Sequence, residues 1–214
     1  MGIILFDEVQ DLLDNGTPAD EIFEWVDDPF ENIRRVRLND KYNFINSKNK
    51  LISTKWYDDA GRFGGHVNEK VYTGVATVYN DDHKINLINA KGELMCSQWF
   101  DDIYYFFNNF AVVLLDDKYN YINIKGKLVS DQWFDYVDRA NGDTLIKKYM
   151  VAYVRMEEPY HTENLLDLKT GKLLLDEKII DDIDDLANLD GIVTINANNK
   201  VNYFDLKTHK FISN

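Results

Sequence analysis

The stretch Phe110-Ala-Val-Val-Leu-Leu115, Asp116-Asp117, Lys118-Tyr-Asn-Tyr-Ile-Asn123 contains the pattern that decides the fold. Two runs rich in aliphatic and aromatic residues are separated by two aspartates. Such runs on either side of a two-residue polar loop are typical of a β-hairpin, and Asp tolerates the positive φ that a tight turn needs. The stretch therefore predicts one antiparallel hairpin over residues 110–123.

The second half of this hairpin recurs along the chain at a spacing of about 40 residues, which is typical of a structural repeat. The recurring string is Asn, two hydrophobic residues, and Asn or Asp. Its five copies are Asn43–Asn46, Asn86–Asn89, Asn120–Asn123, Asn164–Asp167 and Asn202–Asp205. We predict approximate repeats at residues 33–73, 74–109, 110–148, 149–189 and 190–214.

A second turn follows each copy of the string. Its last residue is Asn, Gly or His, a set that indicates a left-handed backbone conformation at this position. The five turn positions are Asn49, Gly92, Gly126, Gly171 and His209. The Asn or Asp that opens each turn can accept hydrogen bonds from its own turn, which favours a turn former over a ligand. These openers are Asn46, Asn89, Asn123, Asp167 and Asp205.

An aromatic-acidic signature comes next in the first three copies. Its tryptophans are Trp56, Trp99 and Trp133, and its acidic residues are Asp58, Asp59, Asp101, Asp102 and Asp135. The fourth copy has the weaker Lys178-Ile-Ile-Asp-Asp182. Because the tryptophans recur at equivalent positions, we expect a packing spine between repeats rather than a stacking ladder for ligands. Paired carboxylates can catalyse glycoside hydrolysis, but neighbours on an extended chain point to opposite faces, so we expect turn and solubility roles.

The N-terminal stretch differs from the repeats. Thr17-Pro-Ala-Asp20 resembles a helix start, with Thr17 as the N-cap, and Pro29 a helix stop after Trp25 and Val26. Residues 1–32 are therefore predicted to form a short α-helical cap, and residues 33–214 a repeat array. The predicted fold class is all-β, with about five antiparallel hairpin repeats in an elongated or curved array; a closed propeller is the alternative.

Composition excludes several classes of function. The net charge of −13 repels phosphate backbones and anionic lipids, so neither nucleic acid nor a membrane is an expected partner. Cys96 is the only cysteine and the four histidines are scattered, so no zinc site or disulfide is predicted. We find no motif for catalysis or for a cofactor. The absence of a signal-peptide pattern leads us to expect a cytoplasmic protein, with a virion as the alternative.

With these elements in place, the chain resembles the WG (or KWG) repeat family of bacteria and phages. Tyr57-Asp-Asp-Ala60 with Phe63-Gly64 is the closest match, followed by Phe100-Asp-Asp-Ile103 with Phe106 and by Phe134-Asp135. The resemblance covers residues 33–214. The array departs from the family at the position before the aromatic, where the family has Gly and this chain has Asn in every copy: Asn43, Asn86, Asn120, Asn164 and Asn202.

The resemblance implies a non-catalytic interaction module. The leading hypothesis is therefore a protein–protein interaction scaffold or adaptor, whose protein partner the sequence does not name. A structural component of a larger assembly, such as a phage particle, is the alternative. A carbohydrate-binding module that uses exposed aromatic residues is the third.

Overall fold

The computed structural model describes residues 5–64, 66–67, 70–71, 74–107, 109–137, 148–157, 162–175, 182–184, 191–197 and 200–212. The chain divides into two compact units, Met1–Ile103 and Tyr104–Asn214. Each unit is built from small antiparallel sheets. The predicted all-β fold class is confirmed, whereas the choice between an open array and a closed propeller stays a prediction.

The first unit begins with two helices, α1 (Phe6–Asp14) and α2 (Ala19–Ile22). Its strands form two three-stranded sheets, ordered β1-β2-β3 and β4-β7-β8, and the two-stranded ribbon β5-β6. The strands are β1 (Trp25–Val26), β2 (Ile33–Leu38), β3 (Lys41–Asn46), β4 (Asp59–Ala60), β5 (His66–Val67), β6 (Lys70–Val71), β7 (Val75–Tyr79) and β8 (Ile85–Asn89).

The division between the two units falls within β9, and three more sheets follow, ordered β11-β10-β9, β12-β13-β14-β15 and β16-β17-β18-β19. Their strands are β9 (Asp102–Phe107), β10 (Phe110–Leu115), β11 (Lys118–Asn123), β12 (Tyr136–Val137), β13 (Val151–Met156), β14 (Thr162–Asp167), β15 (Lys172–Leu173), β16 (Asp182–Asp184), β17 (Ile192–Ala197), β18 (Lys200–Asp205) and β19 (Lys210–Phe211).

Each of the five sheets that have three or four strands contains one of the predicted hairpins. Asp116 and Asp117, between β10 and β11, have φ of 50° and 60°, and Asn39 and Asp40 have φ of 50° and 61°. Positive φ at both positions matches the right-handed twist of the flanking strands, which is why Asn and Asp stand there. The corresponding turn of the last hairpin, Asn198-Asn199, lies outside the described residues.

The aromatic-acidic signature supplies the first strand of the next sheet. In β4, Asp59 and Ala60 pair with Tyr79 and Val78 of the following hairpin. In β12, Tyr136 and Val137 pair in the same way with Arg155 and Val154. A sequence repeat therefore contributes strands to two sheets, and neighbouring copies within a unit are joined by backbone hydrogen bonds as well as by packing.

The N-terminal helix prediction is wrong beyond Ile22. Phe23 has extended backbone angles, and Trp25–Val26 forms β1, paired with β2. The N–H of Glu24 donates to the Arg37 carbonyl at 3.0 Å, as that of Asp58 does to the Tyr79 carbonyl at 3.0 Å. Pairing with the first hairpin overrides the local helix signal, since a four-residue helix is weak alone. Thr17 is not the N-cap either, because Pro18 occupies that position.

The core follows the hairpins. In the first unit, Val9 and Leu13 of α1 pack with Val36, Ile45 and Leu51, which closes the open face of the first sheet. A second cluster in that unit surrounds Phe44, Val78 and Ile88. In the second unit the two clusters contain Tyr121, Phe134, Val154 and Leu166, and Leu165, Val193, Ile195 and Phe204.

Gly92 and Gly171 lie where the backbones of neighbouring copies approach each other closely. Both have positive φ, +82° and +72°. A Cβ added at Gly92 would overlap the carbonyl oxygen of Ile52 in the preceding copy, and one at Gly171 would overlap that of Val129. The turn of one copy thus lies directly on the backbone of the copy before it. Glycine is needed there for space as well as for φ.

We predict that Gly92→Ala lowers the free energy of unfolding by about 1–3 kcal/mol more than Gly16→Ala does, because the first change overpacks two backbones and the second does not. Gly16 is the matched control, since its φ is +85° and an added Cβ would meet no described atom within 4 Å. Urea denaturation of both variants measures the difference. Equal losses of unfolding free energy in the two variants would show that positive φ alone explains why position 92 needs glycine.

Candidate functional site

A buried asparagine lies at the start of each of the first four strings and binds backbone groups of its own repeat. The Asn120 side-chain N–H groups donate to the carbonyls of Ser130 and Gln132, both at 2.9 Å. Its Oδ1 accepts the N–H of Tyr121 at 2.7 Å and that of Ser130 at 3.4 Å. One side chain therefore satisfies four backbone groups, where an unpaired buried group would be destabilising.

The same arrangement recurs in the other complete copies. Asn43 donates to the carbonyls of Ser53 and Lys55, and Asn86 to those of Cys96 and Gln98. The buried Asn164 donates to Leu175 at 3.0 Å. From the sequence alone, these asparagines were identified only as departures from the Gly of the resembled family, and their structural role was missed. A polar residue that recurs inside an apolar strand was the signal that could have identified them.

We predict that Asn120→Ala destabilises the protein by about 2–4 kcal/mol, because it leaves several buried backbone groups without partners. Asn202→Ala is the matched control in the last copy. Asn202 is partly exposed, and among the described residues its side chain donates only to the Lys200 carbonyl, at 3.1 Å, so the expected loss is about 0.5 kcal/mol or less. Chemical denaturation measures both. Similar losses at the two positions would contradict this role.

The buried aromatic ring of each signature is the residue after the tryptophan. Tyr57, Phe100 and Phe134 are buried, whereas Trp56, Trp99 and Trp133 are half-buried. Trp56 packs against the α1 and α2 cluster, with its ring 6.4 Å from that of Phe23, and Trp99 packs at the edge of the Phe44 cluster. The rings of Trp56 and Trp99 therefore flank the core, and the next residue fills it.

The first aspartate of each signature forms an ion pair with a lysine of its own hairpin. The pairs are Lys41–Asp58, Lys84–Asp101 at 2.6 Å, and Lys118–Asp135. The hydrogen bond from Lys41 holds the pKa of Asp58 below its usual value, and that from Lys118 does the same for Asp135. The next residues, Asp59 and Asp102, lie in β4 and β9. Asp181 lies outside the described residues.

We predict that Lys118→Met reduces the acid sensitivity of the protein. Because the folded pKa of Asp135 is lowered, its stabilisation is present above the unfolded pKa, near 4, and is lost as pH falls through the folded pKa. Without Lys118, the fall in unfolding free energy between about pH 5 and pH 3 should be smaller. Lys125→Met removes an exposed turn lysine and should leave the slope unchanged. Urea titrations across this range measure it; identical slopes would refute the assignment.

The five predicted turn positions have positive φ, from 53° at His209 to 82° at Gly92. The residue that opens each turn accepts hydrogen bonds from it. Asn89 Oδ1 accepts the N–H groups of Lys91 and Glu93 at 2.9 and 3.1 Å. The openers of the other turns, Asn46, Asn123, Asp167 and Asp205, accept equivalent bonds. The structure thus gives these side chains local partners.

Reactive and metal-binding groups are scarce in the part of the chain that the structure describes. Burial raises the pKa of the Cys96 thiol to about 11, so it stays protonated at neutral pH. The described His, Cys, Asp and Glu side chains do not gather into a group able to hold a metal ion. Among the described helices, none has the length and apolar character to cross a membrane.

Exposed aromatic rings lie beside arginines in two sheets, β1-β2-β3 and β12-β13-β14-β15, and we call these groups the first and second aromatic-arginine patches. In the first patch, the Arg35 guanidinium lies 4.9 Å from the Trp25 ring and 5.7 Å from the Tyr42 ring, and Arg37 lies 5.9 Å from Tyr42. In the second patch, Arg155 lies 5.2 Å from the Tyr136 ring, which meets Tyr153 edge-on at 5.9 Å.

The two patches occupy equivalent positions. Trp25 pairs with Arg37 across β1 and β2, and Tyr136 pairs with Arg155 across β12 and β13. Trp25 is 38% exposed and Tyr136 41%. Sequence analysis missed both aromatics, because Trp25 was assigned to a helix and Tyr136 stands where the other signatures have a second aspartate. Cross-strand pairing, which the sequence does not display, brings each ring to its arginine.

An open cleft of about 610 Å³ lies beside the first patch in the first unit. Tyr42, Tyr79, Arg37 and His83 line it together with three aspartates: Asp40, Asp58 and Asp59. Arg37 is paired with Asp40, and Asp58 with Lys41.

Residues 87–119 match the family model described as WG containing repeat. Over this segment the chain is similar to WG repeats. The matched segment runs from β8 through the signature of Trp99 to the start of β11, so it includes the strand that joins one copy to the next. No curated protein matches the chain in sequence.

Two solved structures are similar to this chain at low sequence identity. BamB from Moraxella catarrhalis is 10% identical with a TM-score of 0.33, over 88% of this chain and 62% of that one. Hsv2 from Kluyveromyces lactis is 12% identical with a TM-score of 0.35, over 86% and 60%. The chain thus spans about three fifths of each protein's length.

Proposed function

We propose that this protein is a non-catalytic scaffold that binds a protein partner through its aromatic-arginine patches. The observation that supports this most directly is the recurrence of an exposed aromatic ring beside an arginine, at Trp25 with Arg35 and at Tyr136 with Arg155. Trp, Tyr and Arg are the residues most enriched at the energetic centres of protein interfaces.

The geometry of the patches suits this role. Each ring is held by strand pairing and by its arginine, so little side-chain freedom is lost on binding. Arg35 also donates to the Ala60 carbonyl, and one of its nitrogens lies 3.4 Å from the Asp27 carboxylate. Such fixed groups present a rigid surface.

Two features support a non-catalytic role. The pKa of Asp58 is lowered by its hydrogen bond from Lys41, whereas a general acid at neutral pH needs a raised pKa. The only thiol, Cys96, is buried with a pKa of about 11, so it is a poor nucleophile. The first aspartate of each signature thus has an ion-pair partner in the fold, which supports a structural role over a catalytic one.

Carbohydrate binding is the weaker alternative, and the cleft beside the first patch is the observation that favours it. Tyr42 and Tyr79 could stack on a sugar ring there. Against it, Arg37, Asp58 and Lys41 already have protein partners, which leaves fewer groups to orient a ligand.

We predict that Trp25→Ala and Tyr136→Ala each weaken partner binding by about 30-fold, or about 2 kcal/mol, while the thermal midpoint stays nearly unchanged. Ile124→Ala is the matched control, since Ile124 is exposed and belongs to neither patch. Crosslinking in the source cells with mass spectrometry identifies the partner, and calorimetry with the purified partner measures each variant. A stoichiometric partner that binds all variants equally would contradict the assignment to the patches, and no partner would contradict the scaffold.

A further inference from the structure

Each arginine of the two patches lies beside both an aromatic ring and a carboxylate. The Arg35 guanidinium, for example, lies 4.9 Å from the Trp25 ring, and one of its nitrogens lies 3.4 Å from the Asp27 carboxylate. A ring face and a carboxylate both attract a guanidinium, which can stack on the first while its N–H groups face the second. Three such groups occur among the described residues: Trp25–Arg35–Asp27, Tyr42–Arg37–Asp40 and Tyr136–Arg155–Glu157.

The sheet β4-β7-β8 has a ring and a carboxylate at the equivalent place but no arginine. Asp59 of β4 is the cross-strand partner of Tyr79 in β7, as Trp25 of β1 is of Arg37 in β2, so both side chains lie on one face. Within the described ranges, Asp59 has no ion-pair partner. No described Lys or Arg lies over the Tyr79 ring either. The second sheet thus lacks the cation of the other two.

Asp59 and Tyr79 both line the open cleft of about 610 Å³, and Asp58 lines it with them. Oδ1 of Asp58 pairs with Lys41, whereas Oδ2 is buried and accepts no hydrogen bond from any residue that the structure describes. A buried acceptor without a donor is unfavourable, so a donor that enters the cleft gains a partner there. A guanidinium has five N–H donors in a planar fork, enough for two carboxylates.

The charge around Tyr79 favours a cation. Burial raises the pKa of the Tyr79 hydroxyl, and the negative charges of Asp59 and Asp102 raise it further. The charges that disfavour an ionised tyrosine stabilise a cation beside the same ring. The net charge of −13 also attracts a basic partner over a longer distance.

We propose that this cleft binds an arginine side chain of a protein partner, with the guanidinium stacked on the Tyr79 ring and paired with Asp59. Oδ2 of Asp58 accepts a further N–H of the same group. This inference names the partner chemistry beside the first patch, and it rests on the proposed scaffold function. Arginine is favoured over lysine, because only a planar guanidinium stacks on a ring and bonds a carboxylate through two N–H groups.

The test titrates the whole chain, with carbon-13 in its tyrosine rings, with acetyl-arginine amide. NMR should show a saturable shift of the Tyr79 ring signals, which the variant Tyr79→Phe identifies. Acetyl-citrulline amide is the matched ligand control, because a neutral urea group replaces the guanidinium at nearly the same size. It should bind about tenfold more weakly, since the cation is what the ring and Asp59 recognise.

The matched protein variants are Asp59→Asn and Asp82→Asn. Asp59→Asn removes the charge but keeps the oxygen that accepts the Ala60 N–H at 2.8 Å, so the fold should persist. It should weaken binding of the arginine amide about fivefold or more. Asp82→Asn removes the same charge from an exposed residue that does not line the cleft, and it should change binding by less than about twofold.

Three outcomes would overturn the proposal: equal binding of the arginine and citrulline amides, arginine binding that Asp59→Asn leaves unchanged, and no saturable shift at Tyr79. A neutral sugar that occupies the cleft would give the second result, because it does not need the charge of Asp59. With the crosslinked partner, Asp59→Asn should weaken binding about fivefold. If the arginine amide fails while a partner still binds through Trp25 and Tyr136, only this inference fails and the scaffold function stands.

Discussion

The repeat depends on the hydrogen bonds of the buried asparagine at the start of each of the first four strings. The strand that follows each second turn leaves the sheet before the signature tryptophan, so its carbonyls lose their ladder partners inside the protein. Asn43, Asn86 and Asn120 replace those partners with side-chain N–H groups. Because the desolvated carbonyls would otherwise be costly, the asparagine stabilises the chain where it leaves the sheet. The departure delivers the signature aromatic to the core.

The short segment that carries the aromatic-acidic signature has several structural roles. The aromatic after the tryptophan adds to the edge of its own hairpin and fills the core, while the residues that follow begin the next sheet. The ion pair between the hairpin lysine and the signature aspartate, as in Lys84–Asp101, fixes the register of this edge pairing. On the solvent face, Tyr136 of β12 and Trp25 of the corresponding strand β1 carry the aromatic-arginine patches. The inward side of the signature strand thus serves the fold, and the proposed binding uses the outward side.

Much of the fold could be predicted because the residues responsible act locally. A two-residue turn of Asp116 and Asp117 needs positive φ whatever surrounds it, and the opener of each second turn bonds to its own loop. The candidate patches could not be predicted, because Trp25 meets Arg35 and Arg37 only through the pairing of β1 with β2. The helix predicted from Thr17–Asp20 was too long for the same reason. Pairing with β2, which the sequence does not display, decided the conformation of Trp25 and Val26.

The sequence by itself determined the period, the hairpins, the turns and the all-β class, since these follow from alternation and turn chemistry within about 40 residues. Tertiary structure decided what each repeated residue does. It assigned the core to Phe100 and Phe134 rather than to the neighbouring tryptophans, gave Asn120 its carbonyl partners, and placed the Ile52 carbonyl against Gly92. These outcomes depend on contacts between separate strands and copies. An unpaired backbone group costs free energy only once those contacts have buried it.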